Sequence, residues 1–583
     1  MVKILDKSVI NNEEQLIISQ QPAAKKRDLL RFAAIVGVLL VLNFVAQRFF
    51  FRVDLTEEKR YTMSPATKQL LSNLKEPVTV TVYLAGDFPP TFRRLEQGVR
   101  ETLTEMQVYA GGNLNFIFID PSAAGTEAGR NKFYETLFKK GLKPTNLGAN
   151  ENGKRVEKII FPWAVVQAGG QTRNVLLLRG SQVAAPEERL NQSVEGLEYE
   201  LASTIRQVAP PGGAKRRLGI IAGHGELTNV EMADILTAWS QNYDVFRVNL
   251  TQVKDLRGNL DAVVIAKPTG PYSELEKFRL DQFITHGGRA LFFVDALRVD
   301  LDSVSRNGAA LATPYDLNLD DLFFRYGVRL NPNLLLDLNS GQIPLVTGMT
   351  GNKPKIEPLP WQLYPLINRF STNPITRNLD AVYLKFAGNI DTVKAAGIRK
   401  TWLMTTSRYT RVLPAPVPIN FNDARLEPNP KLYKSGYQPV GYLLEGKFRS
   451  LFANRAVPGT TQYQPDQNPN AQPSKLVVIS DGDFLRNDVD PKSGRPMRLG
   501  YDRLSSTEFA NRELILNATD YLLDETGLIA VRGKQITLRP LDKVQLADHR
   551  RPWQLLNLGA PLVVLAAFGA VRAWRRKRRY ARF

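Results

Sequence analysis

The 583-residue chain contains no cysteine. That absence removes disulfides, zinc–thiolate sites, iron–sulfur clusters and every cysteine nucleophile together. It fits an exported chain that needs no oxidative folding. Histidine is nearly as scarce, with His224, His286 and His549 the three present, so a zinc site would have to draw carboxylates from elsewhere. There is no GxxxxGK[ST] phosphate loop, which excludes an intrinsic P-loop ATPase, and no GxSxG turn. What is present is ordinary. Hydrophobic residues make up 43% and charged residues 23%, which excludes wholesale disorder or a fibrous repeat, and the length suits roughly three to four domains.

Lysine and arginine outnumber the acids 77 to 57, for a net charge of +20. Much of the excess is terminal. Arg572 to Phe583 holds seven basic residues and no acid, and Lys25, Lys26, Arg27 and Arg31 face only Asp28. A nucleic-acid binder would spread its basic residues as a folded stripe interleaved with aromatics, so no nucleic-acid partner is expected. A membrane accounts for the tails better. Phe32 to Phe51 reads FAAIVGVLLVLNFVAQRFFF, with Arg48 its one charge, long enough to cross ~30 Å of hydrocarbon. The rival reading, a signal peptide, is weakened by the late start and the lack of a small-x-small cleavage site. Trp553 to Val571 is uncharged, is bracketed by Trp553 and Trp574, and is closed by the basic run, the pattern of a second span. Pro561 is tolerable there. A buried core helix is the alternative. Lysine and arginine flanking both spans on the terminal side place both termini in the cytoplasm and the bulk outside the inner membrane.

Between the spans the pattern is α/β. Ser64-Pro65 starts a helix, and Val78–Leu84, the helical stretch Phe92–Tyr109 and Leu114–Ile119 make a βαβ unit. Strands at Lys158–Phe161, Ala164–Gln167 and Asn174–Leu178 and a helix over Ser193–Val208 complete a first domain. Pro210-Pro211-Gly212-Gly213 is the clearest boundary. Beyond it Arg217–Ala222, Val245–Asn249, Ala262–Ala266, Ala290–Val294 and Lys475–Ser480 read as strands. They alternate with helices at Val230–Trp239, Ser273–Thr285 and Arg512–Leu523, which predicts a doubly wound parallel sheet. The expected organisation is a cytoplasmic tail (1–31), a transmembrane helix (32–51) and a first periplasmic α/β domain (52–209). A second α/β domain (214–530) follows with an irregular, Pro- and Asn-rich insertion at about 303–473 that carries strand-like pieces at Leu334–Asp337, Val382–Phe386 and Tyr437–Glu445. A membrane-proximal segment (531–552), the second transmembrane helix (553–571) and a basic cytoplasmic tail (572–583) end the chain.

Two strand ends could carry chemistry. Gly223-His224-Gly225-Glu226 lies where open α/β sheets bind ligands, and its glycines permit a tight turn. It reads three ways: His224 and Glu226 as catalysts, as a ligand or partner contact, or as a structural turn whose loss would cost about 1 kcal/mol. Asp481-Gly482-Asp483 offers two carboxylates to a metal, yet no third ligand is adjacent in sequence and Asp-Gly is an ordinary turn. The expectation is therefore no cofactor and no metal, with His224, Glu226, Asp481 and Asp483 as ligand or partner contacts. An envelope hydrolase or transferase using His224, Glu226 and Asp481, and a solute-binding protein, are the alternatives.

Several segments together resemble one family. DLTEEKRYTMSPATKQLLSNLKEPVTVTVYLAGDFP (Asp54–Pro89), NQSVEGLEYELASTI, the GHGE turn, SDGDFLRND and the ending ITLRPLDK…NLGAPLVVLAAFGAVRAWRRKRRY are similar to the G component of the Gld gliding-motility ABC transporter. The resemblance implies a non-enzymatic, membrane-anchored periplasmic subunit of a transporter linked to gliding motility or envelope secretion. Its implied partners are a multi-span permease and, through it, a cytoplasmic ATPase. The second domain also resembles the glutamine-amidotransferase-like sheet at LDQFITHGGRALFFVD (Leu280–Asp295). Enzymes of that fold use a cysteine nucleophile that this chain lacks, so the likeness carries the sheet and not the activity. The small residues Gly559 and Gly569 of the second span are expected to face the permease, because small residues let membrane helices approach closely.

Overall fold

The computed structural model describes residues 29–44, 62–533 and 550–580, apart from 124, 152–153, 180–185, 211–214, 457, 459–470, 491 and 525. Most of the expected linker at 210–213 and the last seven residues of the first expected span lie outside these. The described part of that span is helix α1 (Leu29–Phe44), about 24 Å long at 1.5 Å per residue, short of a full crossing by itself. Residues 1–62 and 63–583 form two separate units.

In the larger unit, Ser64 caps helix α2 (Pro65–Ser72) by accepting the Thr67 N–H at 3.1 Å, with Pro65 in the first turn as the sequence predicts. Strand β1 (Val78–Val82), helix α3 (Pro90–Tyr109) and strand β2 (Leu114–Phe118) form the expected βαβ unit, the two strands parallel. Leu95, Val99, Leu103 and Met106, spaced to share one face of α3, are wholly buried. Helix α4 (Glu127–Lys139) and a hairpin of β3 (Thr145–Glu151) and β4 (Lys154–Ile160) follow; the sequence pattern showed neither the helix nor β3. Strands β5 (Trp163–Ala168) and β6 (Gln171–Leu176) add antiparallel to give the order β2-β1-β5-β6, and helix α5 (Pro186–Val208) packs across it.

The second sheet has eight strands. Strand β7 (Arg216–Ala222), helix α6 (Ala233–Asn242), β8 (Tyr243–Asn249), β9 (Ala262–Ala266), helix α7 (Glu274–Thr285) and β10 (Arg289–Phe293) run as predicted. Strand β9, AVVIA, is buried at every position, as a central parallel strand covered on both faces must be. After β10 come the short helix α8 (Asp320–Tyr326), the hairpin β11 (Ser340–Thr350) and β12 (Lys353–Ile367), and strands β13 (Arg369–Phe370), β14 (Ile398–Thr405), β15 (Pro439–Lys447) and β16 (Pro473–Ile479). Helix α9 (Asn511–Leu523) lies against the sheet. The strand order is β13-β14-β15-β16-β10-β9-β7-β8.

That order corrects two expectations. The sheet is not purely parallel: β8, β7, β9, β10 and β16 are parallel, whereas β15, β14 and β13 add antiparallel beside β16. Nor is the stretch 303–473 an irregular insertion: it supplies those three strands, β15 where the strand-like piece Tyr437–Glu445 was expected and β13 and β14 where none was. A parallel return needs a crossover of a dozen residues or more, usually helical, and among the described residues no helix longer than the seven of α8 lies between β10 and β16. The long hairpin hid from sequence because Pro344, Pro354, Pro358 and Pro360 interrupt its strand pattern. Prolines are accepted where a strand lies at an edge, and here they lie on an arm whose outer half is largely exposed.

The boundary between the two α/β domains also moves. Leu528, Ile529 and Val531, expected at or just after the end of the second domain, are buried in the core of the first together with Met63, Leu71, Val80 and Leu103. Helix α9 bridges the two sheets. Its Thr519 accepts the buried Trp239 indole N–H at 3.1 Å, and Asp524 just beyond it pairs with Arg206 of α5 at 3.3 Å. Both α/β domains therefore belong to one compact unit. Last in the chain is helix α10 (Arg550–Tyr580). Its stretch Arg551–Arg578 is long and apolar enough to cross a membrane and is wholly unburied.

Candidate functional site

Strand β7 lies between β8 and β9, so the winding of the sheet reverses at its carboxyl end, the position where open α/β sheets bind ligands. The GHGE turn sits there. Gly223 and Gly225 have φ of +125° and +73°, and a Cβ on Gly225 would fall 2.0 Å from Thr269 Oγ1, so only glycine fits. The His224 carbonyl accepts the Thr269 and Gly270 N–H groups, both at 2.8 Å. Its ring is held on three sides. Nδ1 lies 3.0 Å from Glu226 Oε1, Nε2 lies 3.1 Å from Glu276 Oε1, and the face stacks on Tyr272 at 3.7 Å. Tyr272 Oη donates to Glu226 Oε1 at 2.9 Å, and Glu226 Oε2 accepts the His224 N–H at 2.7 Å. Glu276 Oε2 accepts from Ser273 N and Oγ, closing the capping box of α7.

A ring whose two nitrogens both face carboxylates satisfies both contacts when it carries a proton on each. Burial opposes that charge, but Glu226 and Glu276 outweigh it and hold the His224 pKa above its ordinary value. Burial would raise both carboxyls, yet hydrogen bonds from His224, Tyr272 and Ser273 hold them below the usual range. Tyr272, buried and facing both carboxylates, is pushed far up. The network is closed. It lies in the switch-point crevice and ties α7 to the sheet through both ring nitrogens.

A second cluster occupies the carboxyl ends of the neighbouring strands. Lys267 follows β9, Asp295 follows β10, and Asp481 and Asp483 follow β16. Lys267 Nζ lies 2.7 Å from Asp295 Oδ2 and 2.6 Å from Asp483 Oδ2. Asp295 Oδ1 accepts the Gly482 N–H at 2.6 Å, Asp483 Oδ1 pairs with Arg486 at 3.1 Å, and Asp481 Oδ2 accepts the Lys385 N–H at 2.7 Å. A Cβ on Gly482 would come within 2.6 Å of Lys267 Cγ, which explains the glycine between the two aspartates. The third carboxylate missing from the sequence reading is thus Asp295. Oxygens of Asp295, Asp481 and Asp483 lie within 4.8 Å of one another, a spacing that could hold a divalent cation, but the Lys267 ammonium already neutralises two of them. Asp295 and Lys267 were missed because nothing marks them except position, each directly after a buried apolar strand.

The electrostatics follow from burial. Burial lifts Asp295 despite Lys267. It lifts Asp481 much further, aided by the charges of Asp295 and Asp483. Asp483 stays below the usual range because Lys267 and Arg486 outweigh its burial, and Lys267 is raised by the two aspartates against its own burial. Of the three aspartates, Asp481 is the one pushed furthest toward its protonated form. A carboxyl raised on folding contributes stability below its unfolded value, and that contribution is lost as pH rises toward the folded value. Asp481→Asn keeps an acceptor for the Lys385 N–H without the charge. It is expected to raise the urea midpoint at pH 7 and to flatten the fall in midpoint above the carboxylate range; an unchanged midpoint at both pH 5 and pH 8 would contradict this.

His224, Glu226 and Asp481 do not assemble. Strands β9 and β10 separate β7 from β16, about 14 Å across three strand spacings, and each group belongs to its own network. Gly559 and Gly569 lie on α10 with open space around both. At 3.6 residues per turn, Gly559, Ala566 and Ala570 share a stripe and Gly569 lies about 80° to its side.

The chain thus joins a large mixed α/β sheet, whose polar strand ends are tied into internal networks, to a terminal helix long and apolar enough to cross a membrane. Residues 215–518 match the family described as an ABC-type uncharacterized transport system, and the chain belongs to that family of auxiliary transport components. Residues 57–167 match a domain of unknown function. A chain from Borreliella burgdorferi, bearing the name "Uncharacterized protein", is 20% identical over 564 residues, 95% of this chain and 99% of that one. Among solved structures, the mmIFT52 N-terminal domain is similar at 11% identity and a TM-score of 0.30, over 52% of this chain and 96% of that one. A ThuA-like protein from Parabacteroides merdae is similar at 12% identity and a TM-score of 0.25, over 56% and 94%.

Proposed function

We propose that this auxiliary component is a non-catalytic, doubly anchored inner-membrane subunit of an ABC-type complex serving gliding motility or envelope secretion. Its α/β domains lie in the periplasm, its termini lie in the cytoplasm, and α10 docks on the permease. The observation that carries the reading is the pairing of chain ends: Met63 and Val531 share one core, and the chain runs from each toward an apolar helix. The commitment of both His224 nitrogens to carboxylates supports a structural role for the GHGE turn.

Close packing holds helices together in lipid, so bulk on the small-residue stripe is the direct test. Gly559→Leu with Ala566→Leu should insert normally and recover several-fold less permease on affinity purification. Undiminished recovery would move the contact elsewhere, and no permease with the wild type would sink the partnership. Topology is checked by adding single cysteines to the cysteine-free chain. Asn352→Cys, at the tip of the β11–β12 hairpin, should react with an impermeant thiol reagent once the outer membrane is opened. Lys577→Cys should react only after the inner membrane is broken; the reverse order would invert the topology.

A further inference from the structure

A cavity of about 800 Å³ opens beside the carboxyl end of β10, within the range of small-molecule sites. It is lined by Asp295, by α8 and the strand after it, and by Leu451, Ala453 and Arg455. Phe323 and Leu319 are buried in the wall, while Phe324 is 58% exposed. Three guanidinium groups line this space: Arg325, Arg329 and Arg455. Arg325 donates through Nε to the Ser450 carbonyl at 3.1 Å, which leaves its two terminal nitrogens available to a further partner. Among the described residues none of the three arginines forms an ion pair, although three carboxylates also line the cavity. Two of those are already spent, Asp295 on Lys267 and Asp321 on Lys277 at 3.0 Å. Only Asp320 remains, so the cavity keeps an excess of positive charge. Burial, then the like charges of Arg449 and Arg455, hold Arg325 below its ordinary pKa, a cost that a bound anion would relieve.

We propose that this cavity binds a small organic anion, a carboxylate or phosphate held by Arg325, Arg329 and Arg455, with an apolar body against Phe323, Phe324 and Leu330. Guanidinium forks match both anions in two-point geometry, and the apolar wall selects against inorganic ions. The site does not depend on the anchors or on the permease contact, so its test and theirs fail separately.

The probe is 1-naphthyl phosphate, followed by fluorescence anisotropy with the full chain in phosphatidylcholine nanodiscs and empty nanodiscs as blank. Saturable binding is expected at one site per chain. Uncharged 1-naphthol and inorganic phosphate alone should each bind at least tenfold more weakly. Arg325→Gln with Arg329→Gln should raise Kd more than tenfold. Arg455→Gln, at an exposed position that folding does not depend on, should raise it severalfold and keeps the test valid if the double variant misfolds. Equal affinity for 1-naphthol, an unchanged Kd in the folded variants, or no saturable binding to the wild type would each overturn the assignment.

Discussion

Lys267→Met is expected to destabilise the protein by about 3–5 kcal/mol, the usual cost of removing one partner from a buried ion pair. The lysine side chain is 16% exposed, and Asp295 and Asp483 are 4% and 11% exposed. Without the ammonium two buried carboxylates face each other beside a third. The measurement is urea unfolding followed by tryptophan fluorescence, with a midpoint shifted well down. Replacing the whole group, Lys267→Met with Asp295→Asn and Asp483→Asn, should recover much of the loss, because an uncharged cluster has no charge left to compensate. A single variant as stable as the wild type would mean that solvent, rather than Lys267, neutralises the aspartates.

His224→Ala should cost a similar amount, about 3–5 kcal/mol, because Glu226 and Glu276 are 1% and 6% exposed at the side chain and lose their shared cation. The pH dependence gives this loss a signature. His224 is raised on folding, so its contribution is full below the ordinary imidazole value and is lost as pH rises through the folded value. Glu226 and Glu276 are lowered, so their contribution is present above the ordinary carboxylate range and lost as pH falls. The gap between wild type and variant should therefore be widest between those two limits and narrow on both sides. A gap independent of pH would mean that lost packing on Tyr272 dominates.

The sequence reading of a turn that absorbs such a loss at small cost differs from this expectation, for a definable reason. Local pattern shows His224 and Glu226, two residues apart. It does not show that Glu276, fifty-two residues on, brings the second carboxylate. The same limit applies to Asp295 beside Asp481 and Asp483, which becomes visible only once β10 is known to pair with β16. What was legible followed from period and punctuation: the apolar run of β9, the four-residue spacing on α3, the Ser64-Pro65 start of α2. What was hidden depended on long-range pairing, as in the short antiparallel strand β13 and its neighbour β14, or on chain path, as in Leu528 to Val531 crossing back into the first core.

That return of the chain has a mechanical consequence. A pull exerted through the two ends of the folded region enters at Met63 and leaves beyond Val531, and both residues belong to one small core. The contact of α2 and α5 with the segment Leu528–Gly533 is then the element under tension. The eight-stranded sheet is spliced into the chain between these points and lies off the line of force. Tension applied through the two ends would open the joint between them before it strained the sheet, so residues 216–479 could keep their shape, and whatever they hold, while the protein is under load.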